Sequence, residues 1–162
     1  MNAAHLHIIL VHIPVILVPT ATILLAVALW RKQSAIANTA LAIFVAATVF
    51  VVPAFLLGED AEEIVEDLPG ISENLIEEHE EAADIAFWLT LFVGGTSILT
   101  FAIRNKAPQL HQTSLKALIL AGAVTSGTLA YTASEGGKIR HPEAYTTPTS
   151  SGSHEHHEGH DD

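Results

Sequence analysis

The first 58 residues of this chain contain no aspartate or glutamate, and the whole sequence contains no cysteine. Without cysteine there are no disulfide bonds and no thiolate metal sites. All eighteen acidic residues fall between residues 59 and 84 or after Ser134. The formal net charge of −11 argues against nucleic acid as a partner, because binding to phosphates needs clustered lysine and arginine.

What the chain has instead is four apolar runs, over residues 8–30, 35–57, 82–103 and 114–134. Each is close to the roughly 20 residues that a helix needs to cross a hydrocarbon core of about 30 Å. The first run is too long for the apolar part of a cleaved signal peptide and lacks a basic segment before it. The sequence therefore predicts an all-α fold, a four-transmembrane-helix bundle in up-down order over residues 1–145.

The cations predict the orientation of this bundle. Five of the seven lie in or directly beside the two connections that join run one to run two and run three to run four: Arg31, Lys32, Arg104, Lys106 and Lys116. The positive-inside rule assigns these connections to the cytoplasm. We therefore expect a multi-pass protein of the bacterial inner membrane, with both termini and an acidic connection over residues 58–81 on the periplasmic side.

Prolines and glycines predict where the helices begin and end. Pro14 and Pro19 each remove a backbone donor, so the first helix should be kinked or should begin near Pro14. Gly58 is a natural end for the second helix, and residues 61–68 show the spacing of a short amphipathic helix. The glycine pair 136–137 is expected to close the fourth helix.

The third helix should begin after an N-cap at Ser72 and run to Ile103. One face of its outer part carries Ile71, Leu75, His79, Ala82 and Ala86, at spacings of three and four. The alanines beside His79 leave room for a bulky group or for a close helix. Small and hydroxyl residues in runs three and four predict that these helices pack together, and they make a homodimer plausible.

Histidine is the residue type that says most about function, because nine of the ten histidines fall on the acidic side of the predicted bundle. His5 and His12 would share a helix face, and His7 would point elsewhere. Imidazoles on facing helices are how a bundle holds haem iron. We expect His12 and His79 to hold b-type haem for electron transfer. The alternatives are an interfacial His12 bonded to a carbonyl that a proline frees, and a solvated His79 among glutamates.

A divalent transition metal is the other ligand that these residues could bind. Imidazole and carboxylate groups suit zinc, copper and nickel. A non-haem metal would recruit carboxylates near His79, although the Glu-x-x-His pattern of diiron proteins is absent, since Ile76 lies three residues before His79. The candidate ligands in the first 145 residues are His5, Glu62, Glu78, Glu81, Asp84 and His141.

The last 17 residues, 146–162, form a separate tail. Its composition of threonine, proline, serine, glycine, histidine and acids cannot bury a core, so we expect disorder. The clustered imidazoles would bind metal ions weakly and in many arrangements, or would simply be solvated. These candidate ligands are His154, His156, His157 and His160.

The opening of the chain resembles that of a family of small four-helix bacterial inner-membrane proteins of unassigned function. Residues 5–15, HLHIILVHIPV, are similar to the family's His-Pro-x-x-Val-His-Phe-Pro-Ile opening, and residues 58–63 and 79–83 are similar to its outer connection. Ile8 and Ile13 depart from that pattern. The resemblance covers roughly residues 1–135. It implies a four-helix fold and a cluster of site residues, but it does not imply any particular reaction. The residues that it marks are His7, His12, Gly58, Glu62 and His79.

Three classes of function follow from these observations. The first is a cofactor-binding membrane subunit that holds b-type haem, in a redox membrane complex. The second is a protein that handles divalent metal ions on the periplasmic side, and the third is a non-catalytic scaffold or assembly partner. Catalysis has no support, because the sequence contains no nucleophile signature, phosphate loop or zinc-protease helix motif.

Overall fold

The computed structural model describes residues 1–66 and 68–141, which form four long helices. Each helix is long and apolar enough to cross a membrane. The predicted all-α four-helix bundle is therefore confirmed. The helices are α1 (Ala3–Arg31), α2 (Ser34–Val65), α3 (Glu73–Ile103) and α4 (Pro108–Arg140).

The helices pack as a ring in which α1 contacts α2 and α4, and α3 contacts the same two neighbours. Helices α1 and α3 thus face each other across the diagonal. We call the end with the start of α1, the end of α4 and the α2–α3 connection the acidic end, and the other the basic end. At the basic end Lys32 adopts a left-handed conformation (φ 52°) that turns the chain from α1 to α2, and Pro108 begins α4.

All four helices are longer than a bilayer core requires. With 29 to 33 residues each, they extend about 44–50 Å at 1.5 Å per residue, against a core of about 30 Å. The predicted separate helix over residues 61–68 is the outer end of α2, which passes through Gly58 to Val65. Helix α4 likewise continues through the glycine pair 136–137 to Arg140. Gly58 and the glycine pair therefore do not end helices.

Helix α1 also differs from its expected start, because it begins at Ala3 and not near Pro14. The Asn2 side chain caps it and accepts a hydrogen bond from the backbone N–H of His5 at 3.0 Å. Pro14 and Pro19 both lie inside the helix, and Pro14 is buried against the bundle. Packing against neighbouring helices accommodates an interior proline in a membrane helix. Ser72 occupies the expected N-cap position of α3, although its side chain makes no capping hydrogen bond.

Glycines mark all four contacts between neighbouring helices. An added Cβ at Gly94 of α3 would overlap the Thr48 side chain of α2, and one at Gly122 of α4 would overlap Thr22 of α1. Gly58 of α2 lies beside His7, and Gly136 of α4 lies beside His79. Close approach of helix backbones at small residues is a main source of packing energy in membranes.

Helices α3 and α4 pack together as their composition predicts. The Thr132 hydroxyl of α4 donates a hydrogen bond to the Ala82 carbonyl of α3 at 2.9 Å. Ala82 and Ala86 are buried. The space beside the alanines of α3 is therefore filled by a close helix, which was one of the two expected alternatives.

Candidate functional site

Two half-buried histidines from opposite helices meet at the acidic end. His7 near the start of α1 and His79 in the second turn of α3 have ring centres 6.4 Å apart, and their ring planes are inclined by 81°. Since α1 and α3 lie on the diagonal of the bundle, the two imidazoles meet between all four helices. We call this pair the histidine site.

Each of these imidazoles is fixed by a backbone carbonyl of the next helix along the chain. His7 Nδ1 lies 2.8 Å from the Ala54 oxygen of α2, and His79 Nδ1 lies 3.0 Å from the Thr132 oxygen of α4. A carbonyl oxygen only accepts hydrogen bonds, so both Nδ1 atoms must carry a proton. A neutral imidazole in this tautomer has a lone pair on Nε2, which is the arrangement of histidines that bind metal.

A glycine accompanies each of these carbonyls at the same spacing. Gly58 follows Ala54 by four residues, and Gly136 follows Thr132 by four. An added Cβ at Gly58 would lie 3.8 Å from His7 Cε1, whereas one at Gly136 would lie 3.0 Å from His79 Cε1. The two hairpins of the bundle, α1 with α2 and α3 with α4, thus use the same arrangement, with a tighter fit in the second.

An ion pair with a buried carboxylate adjoins the site in α4. Glu135 is 2% exposed, and both of its carboxylate oxygens accept hydrogen bonds from Lys138 Nζ at 2.8 Å. The carboxylate is near enough to His79 to interact with it electrostatically. Burial of a carboxylate is costly unless it is paired, so Lys138 is what permits Glu135 to lie here.

The other two N-terminal histidines point away from the site. His5 and His12 are both exposed on the outer surface of α1, which confirms that they share a face. His12 Nδ1 donates to the Ile8 carbonyl of its own helix. Neither Pro14 nor Pro19 frees this carbonyl, because each removes the donor to the carbonyl four residues before it. The structure therefore places His7, and not His12, next to His79.

The glutamates of the acidic end line a separate cavity between α2 and α3. Its volume is about 260 Å³, and Ile76 completes its wall. Glu62 and Glu80 come within hydrogen-bonding reach of each other across it. Coulomb repulsion between carboxylates this close is reduced only by solvent, protons or cations. The carboxylates that line the cavity are Glu62, Glu66, Glu73, Glu77 and Glu80.

The remaining metal-ligand candidates are not brought together. Glu78, Glu81 and Asp84 are exposed on α3, and His141 is exposed where α4 ends, with its backbone N–H bonded to the Gly137 carbonyl. Over residues 1–66 and 68–141, no group of three or more histidines and carboxylates is arranged to hold a metal ion. The tail candidates lie outside the described residues: His154, His156, His157 and His160.

Sequence reasoning missed Gly136, Thr132 and Glu135 as parts of the site. The glycine pair 136–137 resembles a helix end in the sequence, and a backbone acceptor such as the Thr132 carbonyl cannot be recognised from side-chain chemistry. One available signal is the glycine itself, because glycine in a membrane helix indicates close approach of a neighbour.

Comparison with known proteins agrees with the membrane fold. Residues 3–145 match the model of a family described as "Predicted membrane protein (DUF2231)". The match covers nearly all of the described bundle. No curated protein and no solved structure matches the chain.

Proposed function

We propose that this chain, which belongs to the DUF2231 family of membrane proteins, binds b-type haem between His7 and His79 and transfers electrons at the periplasmic face of the inner membrane. The observation that carries the proposal is the histidine pair itself. Its two imidazoles lie on opposite helices, and both Nδ1 atoms are bonded to carbonyls. Both Nε2 atoms are thereby left with lone pairs.

The number of the donors favours haem iron over a free ion. His7 and His79 would hold the iron, and their ring centres are 6.4 Å apart. A protein site for a zinc ion supplies three or four side-chain ligands. No such group occurs in the described part of the chain, whereas haem iron, already held by its porphyrin, would need at most two protein ligands.

The residues around the pair would fix the orientation of its two rings. The carbonyls of Ala54 and Thr132 fix the two rings, and hydrogen bonds of this kind raise the basicity of a ligating histidine. Haem supplies a one-electron couple when bound. The Glu135 carboxylate lies beside His79 and is paired with Lys138. It would stabilise a positive charge added at the site, to the extent that Lys138 does not neutralise it.

The position of the site along the helices suits exchange of electrons at a membrane surface. His7 lies about 36 Å from Arg31 along α1, and His79 lies about 38 Å from Arg104 along α3, at 1.5 Å per residue. With the basic connections at the cytoplasmic surface, both exceed the hydrocarbon core of about 30 Å. The site would then lie at the level of the periplasmic headgroups, within reach of a soluble or membrane-bound redox partner.

The test is an absorption spectrum of the detergent-purified protein, air-oxidised and then reduced with dithionite, together with metal analysis. We expect a Soret band that shifts on reduction, retained by His12→Ala and lost in His7→Ala and in His79→Ala. His12→Ala is the matched control, because His12 lies on the same helix but faces outward. Pairing of His12 with His79, as the sequence alone suggested, requires the opposite result for His7→Ala and His12→Ala.

Other outcomes would assign the chain to a different class. A colourless protein with near-stoichiometric zinc, copper or nickel would contradict the haem proposal and favour the handling of divalent metals. Neither haem nor metal, after expression with added haem precursor, would favour a scaffold or assembly partner. Retention of the Soret band in both single mutants of the histidine site would also overturn the proposal.

A further inference from the structure

We propose that Gly136 is a positioning residue, whose missing side chain lets the His79 imidazole reach the Thr132 carbonyl and so fixes the proton on Nδ1. The proposal rests on the proposed function only for its haem measurement. The tautomer of His79 is a property of the chain itself and can be measured without any cofactor.

The geometry favours glycine at this position. His79 Nδ1 is 3.0 Å from the Thr132 oxygen, one turn before Gly136 in α4. A Cβ on residue 136 would lie 3.0 Å from His79 Cε1 and 3.2 Å from Nδ1, closer than ordinary van der Waals contact. An alanine would therefore press on the same edge of the ring that makes the hydrogen bond.

The ring has few ways to relieve this contact. It is half-buried, and α3 and α4 are held together beside it by the hydrogen bond from Thr132 Oγ1 to the Ala82 carbonyl. A shift of the imidazole away from Gly136 lengthens the Nδ1–H···O bond, and a hydrogen bond weakens steeply with poor geometry. Without that acceptor, the proton is no longer held on Nδ1 and Nε2 no longer keeps a free lone pair.

The chain offers two matched controls. Gly58 occupies the equivalent position beside His7, but an added Cβ there would lie at an ordinary contact distance of 3.8 Å. Gly127 lies on the same helix as Gly136 and has no atom within 4 Å of an added Cβ. Alanine favours a helix more than glycine does, so all three substitutions should maintain or raise intrinsic helix stability. A loss of the Nδ1-protonated tautomer or of haem binding that is specific to Gly136→Ala therefore results from contact with the His79 ring, and not from a change in helix stability.

The first measurement is ¹⁵N NMR of histidine-labelled protein without haem, with the His79 signals assigned by comparison with His79→Ala. We expect the Nδ1-protonated tautomer for His79 in the unmodified chain, in Gly58→Ala and in Gly127→Ala. In Gly136→Ala we expect a shift toward the Nε2-protonated form. A wild-type His79 protonated on Nε2, or an unchanged tautomer in Gly136→Ala, would overturn the proposal.

The second measurement is titration of the unmodified chain, Gly127→Ala and Gly136→Ala with haem. We expect Gly136→Ala to weaken haem binding by about 10- to 100-fold, the usual effect of losing a partner that orients a metal ligand. Gly127→Ala should bind like the unmodified chain. Equal binding by all three would contradict the positioning role. Absence of haem binding in the unmodified chain, with the expected tautomers, would overturn the proposed function and leave the role of Gly136 in place.

Discussion

The two hairpins of the bundle bury different kinds of residue. The hairpin of α1 and α2 buries apolar residues such as Val18, Leu25 and Phe44. Within residues 1–66 and 68–141, every buried polar or charged side chain belongs to α3 or α4. These residues are Thr90, Ser97, Thr100, Thr125 and Glu135.

Side-chain hydrogen bonds between helices follow the same division. His7 supplies the one such bond within the first hairpin that the structure describes. The second hairpin has bonds from His79, Thr132 and His111. Thr48 joins the two hairpins by donating to the Thr90 carbonyl at 2.9 Å. The first hairpin is thus held mainly by packing of apolar side chains, many of them alanines, and the second by packing together with hydrogen bonds between its helices.

The largest effect is expected from removal of volume in the first hairpin. Phe44 is 1% exposed, so Phe44→Ala should leave a cavity and lower the free energy of unfolding by about 3–5 kcal/mol. Phe92→Ala is the control, because Phe92 is 61% exposed and its loss should cost no more than about 0.5 kcal/mol. The measurement is unfolding in mixed micelles of detergent and dodecyl sulfate. Equal losses for the two variants would remove the distinction between core and lipid-facing aromatics.

A smaller effect is expected where the second hairpin meets the first. Gly94→Ala puts a Cβ into the Thr48 side chain, and we expect a loss of about 1–3 kcal/mol from overpacking. The next residue is the control, because Gly95 has no atom within 4 Å of an added Cβ. Gly95→Ala should raise stability by about 0.5–1 kcal/mol through helix propensity. If both Gly94→Ala and Gly95→Ala raised stability in the same micelle assay, the helices would not need glycine at this contact.

The spans were predictable from the sequence because apolar length alone specifies a membrane helix. The helix ends were less so. Gly58 and the glycine pair 136–137 resemble end signals when read locally, but in the bundle Gly58 and Gly136 make room for His7 and His79. Tertiary packing therefore overrides the tendency of glycine to end a helix. The helices continue well past the bilayer core, where no apolar pattern marks their ends.

The inward face of α1 could not be read from its sequence. Nearly every residue from Ile8 to Leu29 is apolar, so there is no polar stripe to show which side meets lipid. The spacing of His5, His7 and His12 correctly separated two faces, but gave no reason to choose the one with His7. The side of α3 that carries His79 was easier to assign, because glutamates mark its exposed faces. The sequence therefore identifies His79 as a site residue more clearly than it identifies His7.

The smallest effect is expected from a single hydrogen bond within the second hairpin. Thr132→Val keeps the shape of the side chain but removes the donor to the Ala82 carbonyl. Hydrogen bonds between membrane helices are worth about 0.6 kcal/mol on average and at most about 1.7 kcal/mol, so we expect a loss in that range. Thr125→Val is the control, because the Thr125 hydroxyl bonds only the Ala121 carbonyl of its own helix. The Thr132 backbone carbonyl is unchanged, so the tautomer of His79 should persist while stability falls. An equal loss in Thr125→Val would mean that hydroxyl burial, and not the bond between helices, distinguishes the second hairpin from the first.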